Sequence, residues 1–368
     1  MQYLNRNGTY VLFNDVTSPM VIIATKPQVP IRTDPNLFCF LGPQDYLFTF
    51  KVFSCFVNPV LSILGLFVNG LCLVVLAKGG FRKPSYILLF ALVFADSMNL
   101  FLSLDFPNRI RYFGPVKTKT GYCTFEYDTT MNQYLYVSHE FFTFVGLWGR
   151  TINATIPMII TMERILAVYF PVTFTRVVTP KSITASCCAA YVMWLPHIIV
   201  QSFYSRLLYI QLSNGNVVAI TTVTEFLIKN FRILYIFTAY FLEAMTSWVP
   251  ICFVCLGCIL IGIKVSVSIS QRRKLTSLRK EHQWSPRTTR TLLTTCLIFA
   301  VTHAINSLIG LLVTIDDKTP LLTYLLLEIA EFFNILNCTS NFLVYFFLNK
   351  KLWRVLLQII RKKNFVSA

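Results

Sequence analysis

Charged side chains stand inside several long apolar runs of this chain. Arg150, Glu243 and Glu331 each lie in a different run. Ionisable residues inside apolar segments that cross a membrane are costly, and by default they mark a functional site. An unpaired arginine there is especially costly, so we expect Arg150 to pair with Glu331 or Glu243. Such a pair would either help to bind a polar ligand or only lock helices together.

The composition excludes most soluble proteins. Of the 368 residues, 55% are apolar and only 13% are charged, whereas globular domains contain about 25% charged residues. The clustering of the apolar residues excludes a disordered chain, a disulfide-stapled secreted module and an ordinary cytosolic enzyme. The sequence therefore predicts an integral membrane protein. Its loops carry no nucleophile–base set, phosphate-binding loop or metal-ligand spacing, so we expect neither an enzyme nor a metal site.

Seven segments are long enough to cross a bilayer. A spanning helix needs about 20 apolar residues, because the hydrocarbon core is about 30 Å thick and a helix rises about 1.5 Å per residue. Six or eight spans are the alternatives. We therefore expect an all-α membrane protein, a seven-transmembrane helix bundle over 53–348. Its spans are at about 53–77, 84–104, 138–169, 182–205, 233–264, 291–315 and 321–348.

The basic residues predict the orientation of the bundle. The connections 78–83, 170–181 and 265–290, together with the tail 349–368, hold 18 Lys and Arg and one acidic residue. The opposite side is almost twice as long but holds 12 Lys and Arg and nine acidic residues. Because basic residues accumulate on the cytosolic side, we expect a plasma-membrane protein with its N-terminus outside. The extracellular segment 1–52 then carries a glycosylation acceptor, Asn7 in Asn7-Gly8-Thr9.

The tail predicts a short eighth helix. Lys350–Lys363 alternates basic with apolar residues, which is typical of an amphipathic helix on the inner membrane surface. The net charge of +17 lies mostly in the cytosolic loops and the tail. Attraction to anionic lipid accounts for much of this charge, so we expect membrane lipid and not nucleic acid as its partner.

Polar, aromatic and proline residues recur in the spans in a particular order. They are Asn69 in span one, Asp96 in span two, Glu163-Arg164-Ile165 in span three, Trp194 in span four, Pro250 in span five, and Asn337–Tyr345 in span seven. Over residues 53–362 this order resembles that of the rhodopsin-like (class A) G-protein-coupled receptors. Within that family, Asn341-Phe342-x-x-Tyr345 and the tail Phe347–Trp353 are similar to invertebrate, molluscan-type chemosensory receptors and to FMRFamide-type neuropeptide receptors.

The resemblance implies roles at the cytosolic end and in the middle of the membrane. Glu163 would hold Arg164 at rest, and Arg164 would reach the G protein once the helices separate; the alternative is an arginine that only snorkels to the membrane edge. Asn341 and Tyr345 belong to the matching activation motif of span seven. Asn69, Asp96, Asn153, Asn337 and Asn341 match the surroundings of the family's sodium site, since oxygen ligands suit a hard cation. Asparagine at 153, where serine is usual, leaves an ion-free network with a protonated aspartate as an equal alternative.

The resemblance also places a ligand cavity in the outer half of the bundle. Arg150 lies 14 residues outward from Arg164, and Glu331 lies 14 residues outward from Tyr345, which is about 21 Å by helical rise. We expect the ligand-binding residues to be Arg150, Glu243, His303, Glu328 and Glu331. Such a cavity favours a small polar ligand or a peptide over a lipid. Gly146, where amine receptors carry aspartate, argues against a standard amine receptor.

The chain departs from the family in several places. Span three reads Glu-Arg-Ile instead of Asp-Arg-Tyr, and Phe342 replaces the usual proline. In span six, Thr302-His303-Ala304-Ile305 replaces Cys-Trp-x-Pro, so the proline kink is missing. The second outer loop, 205–232, has no cysteine for the family's disulfide. Cys39 and Cys123 are the cysteines on the oxidising side and are the candidates for another bridge.

These features predict a receptor that senses an extracellular chemosensory cue or neuropeptide and activates a heterotrimeric G protein. A decoy or accessory receptor without signalling is one alternative, suggested by the altered span six. A membrane transporter or channel is another, although no internal repeat is visible in the sequence. Apart from sodium we expect no cofactor.

Overall fold

The computed structural model describes residues 2–4, 10–12, 44–81, 83–105, 129–211, 217–275, 286–315 and 320–348. Asn7, Cys39, Cys123 and the tail 349–368 lie outside these residues, so the glycosylation, the disulfide and the eighth helix stay predictions. Outer and inner denote the helix ends predicted to face the extracellular space and the cytosol.

A long helix covers each of the predicted spans. Pro84 and Pro180 stand at first helical positions, where the missing N–H of proline leaves no hydrogen bond unmade. The Thr179 side chain caps the helix that follows it, accepting from the Ser182 N–H at 3.1 Å. The helices are α1 (44–79), α2 (Pro84–Leu100, continued by a 3₁₀ turn Phe101–Leu104), α3 (Thr129–Tyr169), α4 (Pro180–Ser202), α5 (225–275), α6 (Pro286–Ile315) and α7 (Pro320–Leu348), with a short helix Pro171–Val177 between α3 and α4.

Six helices of the described part are long and apolar enough to cross a membrane. Their apolar segments are Phe48–Lys78, Pro84–Leu104, Thr129–Tyr169, Pro180–Ser202, Tyr240–Val267 and Thr294–Val313. The expectation of a mainly helical, membrane-embedded protein is therefore confirmed. Helix α7 is not among the six. It is 29 residues long and contains Glu328 and Glu331, and its crossing of the membrane stays a prediction.

Helices α2 and α3 approach each other most closely where α3 presents glycine. A Cβ atom on Gly149 would lie 2.4 Å from the backbone nitrogen of Asn99 and 2.8 Å from the carbonyl oxygen of Ala95. One turn outward, a Cβ atom on Gly146 would lie 2.6 Å from Leu102 Cβ. Real Cβ atoms do not come this close to other heavy atoms, so the helix spacing depends on both glycines.

Helix α4 is tied to α2 and α3 by aromatic residues. Trp194 Nε1 donates to Thr155 Oγ1 at 2.8 Å, and Trp148 Nε1 donates to the carbonyl oxygen of Tyr191 at 3.0 Å. The Tyr191 hydroxyl in turn donates to the carbonyl oxygen of Ala91 at 2.9 Å. The apolar core lies between these helices and α6, with its largest fully buried side chains including Leu88, Leu92, Ile152, Ile156, Ile160 and Phe299.

Two of the helices contain π-turns. In α1 a π-turn at Phe53–Val57 joins Gln44–Val52 to Asn58–Gly79. In α5 two π-turns, Phe237–Leu242 and Ala244–Trp248, join Glu225–Ile236 to Val249–Leu275. A π-turn inserts an extra residue into the helix, so side chains beyond it point in another direction than in a regular α-helix.

The strands form two antiparallel hairpins. Strand β1 (Gln2–Leu4) pairs with β2 (Tyr10–Leu12). Strand β3 (Ser205–Gln211) pairs with β4 (Val217–Val223), with Ser205 opposite Val223 and Gln211 opposite Val217. The second hairpin fills most of the outer connection 205–232, where no strands were predicted from the sequence.

We expect Gly149→Ala to destabilise the bundle, because backbone atoms of α2 occupy the space of the added methyl group and cannot move aside like a side chain end. Overpacking of this kind costs about 1–3 kcal/mol. The thermal unfolding midpoint of the purified protein in detergent measures the effect. Gly70→Ala is the matched control, since nothing lies within 4 Å of a Cβ atom there. The idea fails if both variants unfold at the same temperature.

Candidate functional site

Arg150 and Glu331 form an ion pair between α3 and α7. A terminal guanidinium nitrogen donates to Glu331 Oε2, and Arg150 Nε lies 3.4 Å from Asn99 Oδ1 of α2. Ser103 Oγ donates to the other carboxylate oxygen of Glu331 at 3.0 Å. The Glu331 side chain is 3% exposed, whereas that of Arg150 is 28% exposed. Of the two pairings expected for Arg150, the structure contains the one with Glu331, and the arginine is the more accessible partner.

His303 of α6 is another buried member of the predicted ligand-binding group. Its ring packs on Phe299 with ring centroids 4.2 Å apart. The residue is only 8% exposed, and Nε2 has no hydrogen-bond partner among the described residues. Helix α6 thus brings to the site a buried ring nitrogen that a ligand or a water molecule can satisfy.

Glu328 lies one turn outward from Glu331 but faces a different helix. Asn58 Nδ2 of α1 donates to Glu328 Oε2 at 2.8 Å and to the Glu328 carbonyl oxygen at 3.1 Å. Both side chains are buried. Glu328 therefore joins α7 to α1, and its carboxylate does not contact the guanidinium of Arg150.

Glu243 is not paired with Arg150 in the described part of the chain. Its side chain is exposed, and the acid that pairs with Arg150 is Glu331. The π-turn Ala244–Trp248 lies between Glu243 and Pro250, so these two residues do not have the relative direction that a regular α-helix would give them. The role of Glu243 in ligand binding stays a prediction.

Asp96 of α2 is the centre of the mid-membrane polar group. Asn153 Nδ2 donates to Asp96 Oδ1 and Asn341 Nδ2 donates to Asp96 Oδ2, each at 2.7 Å. Asn69 of α1 and Asn337 of α7 are also buried. The amide oxygens of Asn69, Asn153 and Asn341 have no hydrogen-bond partner among the described residues. In this arrangement the amide nitrogens of Asn153 and Asn341 face the carboxylate, so a hard cation, which needs oxygen ligands, would require both amides to turn over.

A chain of polar contacts connects the ion pair to Asp96. Asn99, which contacts Arg150, donates from Nδ2 to Cys338 Sγ at 3.2 Å. Asn153, which is bonded to Asp96, donates to the same sulfur at 3.3 Å. We call this series, from Arg150 through Asn99, Cys338 and Asn153 to Asp96, the polar chain.

Several members of these networks were not predicted from the sequence. Asn99 and Asn334 exchange hydrogen bonds at 3.1 and 3.3 Å, and Asn58 binds Glu328. All three are amides inside predicted spans, which is itself a signal of function. For Asn99 the sequence also contains a positional signal, because it follows Asp96 by three residues and therefore lies on the same helix face.

Arg164 at the inner end of α3 pairs with its neighbour Glu163. Arg164 Nε lies 2.8 Å from Glu163 Oε2, and a terminal nitrogen donates to Ser85 Oγ of α2 at 2.8 Å. Both charged residues are buried, at 9% exposure for Arg164 and 3% for Glu163. The pair thus connects the inner ends of α2 and α3. The side chain of Tyr345 lies outside the part of the chain that the structure describes.

The hairpin β3–β4 is held against the outer end of α3 by side chains. The Tyr136 hydroxyl donates to the carbonyl oxygen of Ser205 at 3.2 Å, and Ser205 Oγ donates to Glu140. Gln133 donates to the hydroxyl of Tyr209. Hydrogen bonds therefore join the outer end of α3 to the connection between α4 and α5.

The described residues contain no group of three or more His, Cys, Asp or Glu side chains that could hold a metal ion. The cysteines among them, Cys338 included, are free thiols.

Comparison with models of known protein families gives no match, and comparison with curated proteins gives no significant match.

We expect Arg150 and Glu331 to be strongly coupled in stability. Arg150→Met or Glu331→Gln alone removes one partner of a buried pair, which costs about 3–5 kcal/mol. The double variant leaves no orphaned charge, so its loss of stability is smaller than the sum of the single losses. Thermal unfolding of the four proteins in one detergent completes the cycle.

The control cycle uses Glu225→Gln and Lys229→Met. This pair on α5 is 3.7 Å apart, and both side chains are more than 70% exposed. Exposed pairs contribute about 0–1 kcal/mol. A coupling between Arg150 and Glu331 no larger than that of the control would contradict their role in joining α3 to α7.

Proposed function

We propose that this chain is a seven-helix receptor of the rhodopsin-like type, which senses an extracellular ligand and activates a heterotrimeric G protein. In this proposal α1–α7 all cross the plasma membrane with the N-terminus outside. The segment 349–368 lies along the inner membrane surface as an amphipathic helix. The ligand is a chemosensory cue or a neuropeptide.

The observation that carries the proposal is the buried Glu163–Arg164 pair at the inner end of α3. A charged pair at 9% and 3% exposure is costly to hold inside a membrane protein. Arg164 is attached to α2 through a hydrogen bond to Ser85, which can break when the helices separate. A contact that breaks when helices move apart supports a switch between two states, in which the arginine becomes available to a partner.

The polar chain supports a connection between ligand and G protein. It begins at Arg150 and Glu331 in the outer half of the bundle and ends at Asp96, whose other oxygen binds Asn341 near the inner end of α7. A ligand that alters the outer ion pair changes the contacts of α2, α3 and α7 at once. The mechanism is a population shift, in which the ligand binds better to the state with separated inner ends.

Helix α6 lacks the proline kink, but it has another local weakness. The Thr302 hydroxyl donates to the carbonyl oxygens of Ile298 and Phe299, at 2.9 and 3.0 Å. Hydroxyls that bond back to their own helix favour bending. In the proposed receptor α6 bends at Thr302, one residue before His303.

Sodium is the proposed ion at Asp96. Once the amides of Asn153 and Asn341 turn over, these two residues and Asn69 would offer oxygen ligands beside the carboxylate, and the ion would supply a positive charge in the middle of the membrane. Its proposed role is to hold α1, α2, α3 and α7 together in the resting state.

A transporter or channel is the second candidate. The observation in its favour is the same polar chain, since buried ionisable residues also line substrate paths. Flux in reconstituted vesicles without G protein would support this candidate.

We expect Glu163→Gln to raise basal guanine-nucleotide exchange and Arg164→Ala to abolish it. Removal of the acid frees the arginine from its pair, whereas removal of the arginine deletes the group that reaches the G protein. Exchange is measured in membranes that carry equal surface levels of each protein.

The matched control is Glu225→Gln, an exposed acid on α5, which should leave exchange unchanged. Equal exchange in wild type, Glu163→Gln and Arg164→Ala would count against signalling. The decoy and transporter alternatives would then gain support.

We expect the thermal unfolding midpoint of the purified protein to be higher in sodium chloride than in potassium chloride at equal ionic strength. Asp96→Asn should abolish the difference, because the neutral amide no longer attracts the ion. Asp105→Asn, at the outer end of α2, is the control that should retain it. Equal midpoints for the wild-type protein would instead favour the ion-free network.

A further inference from the structure

We propose that the ligand is an anion whose carboxylate binds the guanidinium of Arg150 in place of Glu331. This inference rests on the ligand site of the proposed function and narrows its chemistry. It makes Arg150 the anchor and Glu331 an internal competitor for the same donors.

The accessibility of the charged groups selects an anion over a cation. Both carboxylate oxygens of Glu331 are occupied, one by Ser103 and one by Arg150, and the side chain is 3% exposed. The other nearby acid, Glu328, binds Asn58 and is also buried. Neither carboxylate is open to a ligand amine.

Arg150 is the accessible charge of the group. Its side chain is 28% exposed, and its contacts with Asn99 and Glu331 engage Nε and one terminal nitrogen of a guanidinium that carries five N–H donors. The planar guanidinium matches the two oxygens of a carboxylate, which it can bind with two parallel hydrogen bonds. A carboxylate can therefore approach before Glu331 has left.

His303 adds a second polar contact on the opposite helix. Its Nε2 is buried without a partner among the described residues, as is Oδ1 of Asn306 almost one turn outward on α6. A ligand held by Arg150 between α3 and α6 can satisfy the imidazole, which donates or accepts according to its tautomer. The site therefore connects the anchor on α3 to the helix that is proposed to bend.

When the ligand carboxylate replaces the Glu331 carboxylate, the guanidinium of Arg150 stays paired throughout. Glu331 then retains its bond from Ser103 but loses its positive partner, so it becomes an unpaired buried carboxylate. Either α7 moves so that Glu331 reaches water, or Glu331 takes up a proton. Both outcomes loosen the attachment of α7 to α3, which connects binding to the movement required for signalling.

The test is chemical rescue of the full-length protein by small carboxylates. Glu331→Ala vacates the place of the competing carboxylate and leaves Arg150 unpaired. Acetate should raise the thermal unfolding midpoint of this variant, and acetamide, its neutral isostere, should not. Glu328→Ala is the matched control, because it removes a buried carboxylate of the same helix that accepts from Asn58 and is not paired with Arg150.

We expect the apparent affinity for acetate to be about tenfold or more higher in Glu331→Ala than in Glu328→Ala, since hydrogen bonds to a charged group are worth at least that factor. The double variant Arg150→Met/Glu331→Ala should show no more response than Glu328→Ala. N-acetyl-alanyl-alanine, which presents a peptide C-terminus, is compared with acetate. A tighter fit for the peptide acid indicates a peptide ligand, and a response to acetate alone indicates a small carboxylic acid.

Several results would overturn the proposal. They are equal acetate responses in all variants, a response that persists without Arg150, or no response in folded Glu331→Ala. If that variant does not fold, Glu331→Gln replaces it, since the amide keeps the size of the side chain and removes its charge. The readout needs no G protein. Rescue without nucleotide exchange would keep the anion site and reject the receptor function, and exchange without rescue would do the reverse.

Discussion

The ion pair between Arg150 and Glu331 determines much of the arrangement around it. A guanidinium inside a membrane protein needs a partner, and that partner must itself be shielded and hydrogen-bonded. Glu331 of α7 supplies the paired negative charge and also accepts a hydrogen bond from Ser103. Asn99 of α2 supplies a further acceptor oxygen for the guanidinium. Three helices are therefore fixed relative to one another by one charge. The glycine contacts between α2 and α3 bring Asn99 close enough to take part.

The polar group around Asp96 is connected to the Arg150–Glu331 pair through shared hydrogen-bond partners. Asn99, which contacts Arg150, is itself held by hydrogen bonds with Asn334 and Cys338. Cys338 also receives a hydrogen bond from Asn153. The side-chain amides and the thiol therefore cannot move independently of one another. A disturbance at one end of the polar chain alters the contacts at the other end, and no large apolar rearrangement is needed for this. Helix α3 thus contacts α2 at three levels, through Arg150 and Asn99, Asn153 and Asp96, and Arg164 and Ser85.

Composition and spacing predicted the elements of the fold well, because long apolar runs in a membrane leave the backbone few choices other than a helix. They also narrowed the partner of Arg150 to two acids, since an arginine in a span needs a counter-charge. They did not predict the π-turns beside Glu243, because such turns follow from packing and not from a pattern of residue types. Composition and spacing did not predict the two strands within 205–223, because the segment was interpreted only as a connection between spans. The contact of Glu328 with Asn58 depends on the relative rotation of α1 and α7, which one-dimensional spacing does not contain.

Gly146 shows how the spacing of two helices limits which residues a position can hold. The backbone of Leu102 lies only 3.0 Å from where a Cβ atom of residue 146 would be. Any side chain at this position has to push α2 and α3 apart, so a single substitution cannot introduce a new charged group here without damaging the bundle. A larger residue requires a wider separation of the two helices, and that separation is set by the glycine contacts along their whole interface. The backbone therefore restricts the chemistry of this level of the bundle before any side chain does.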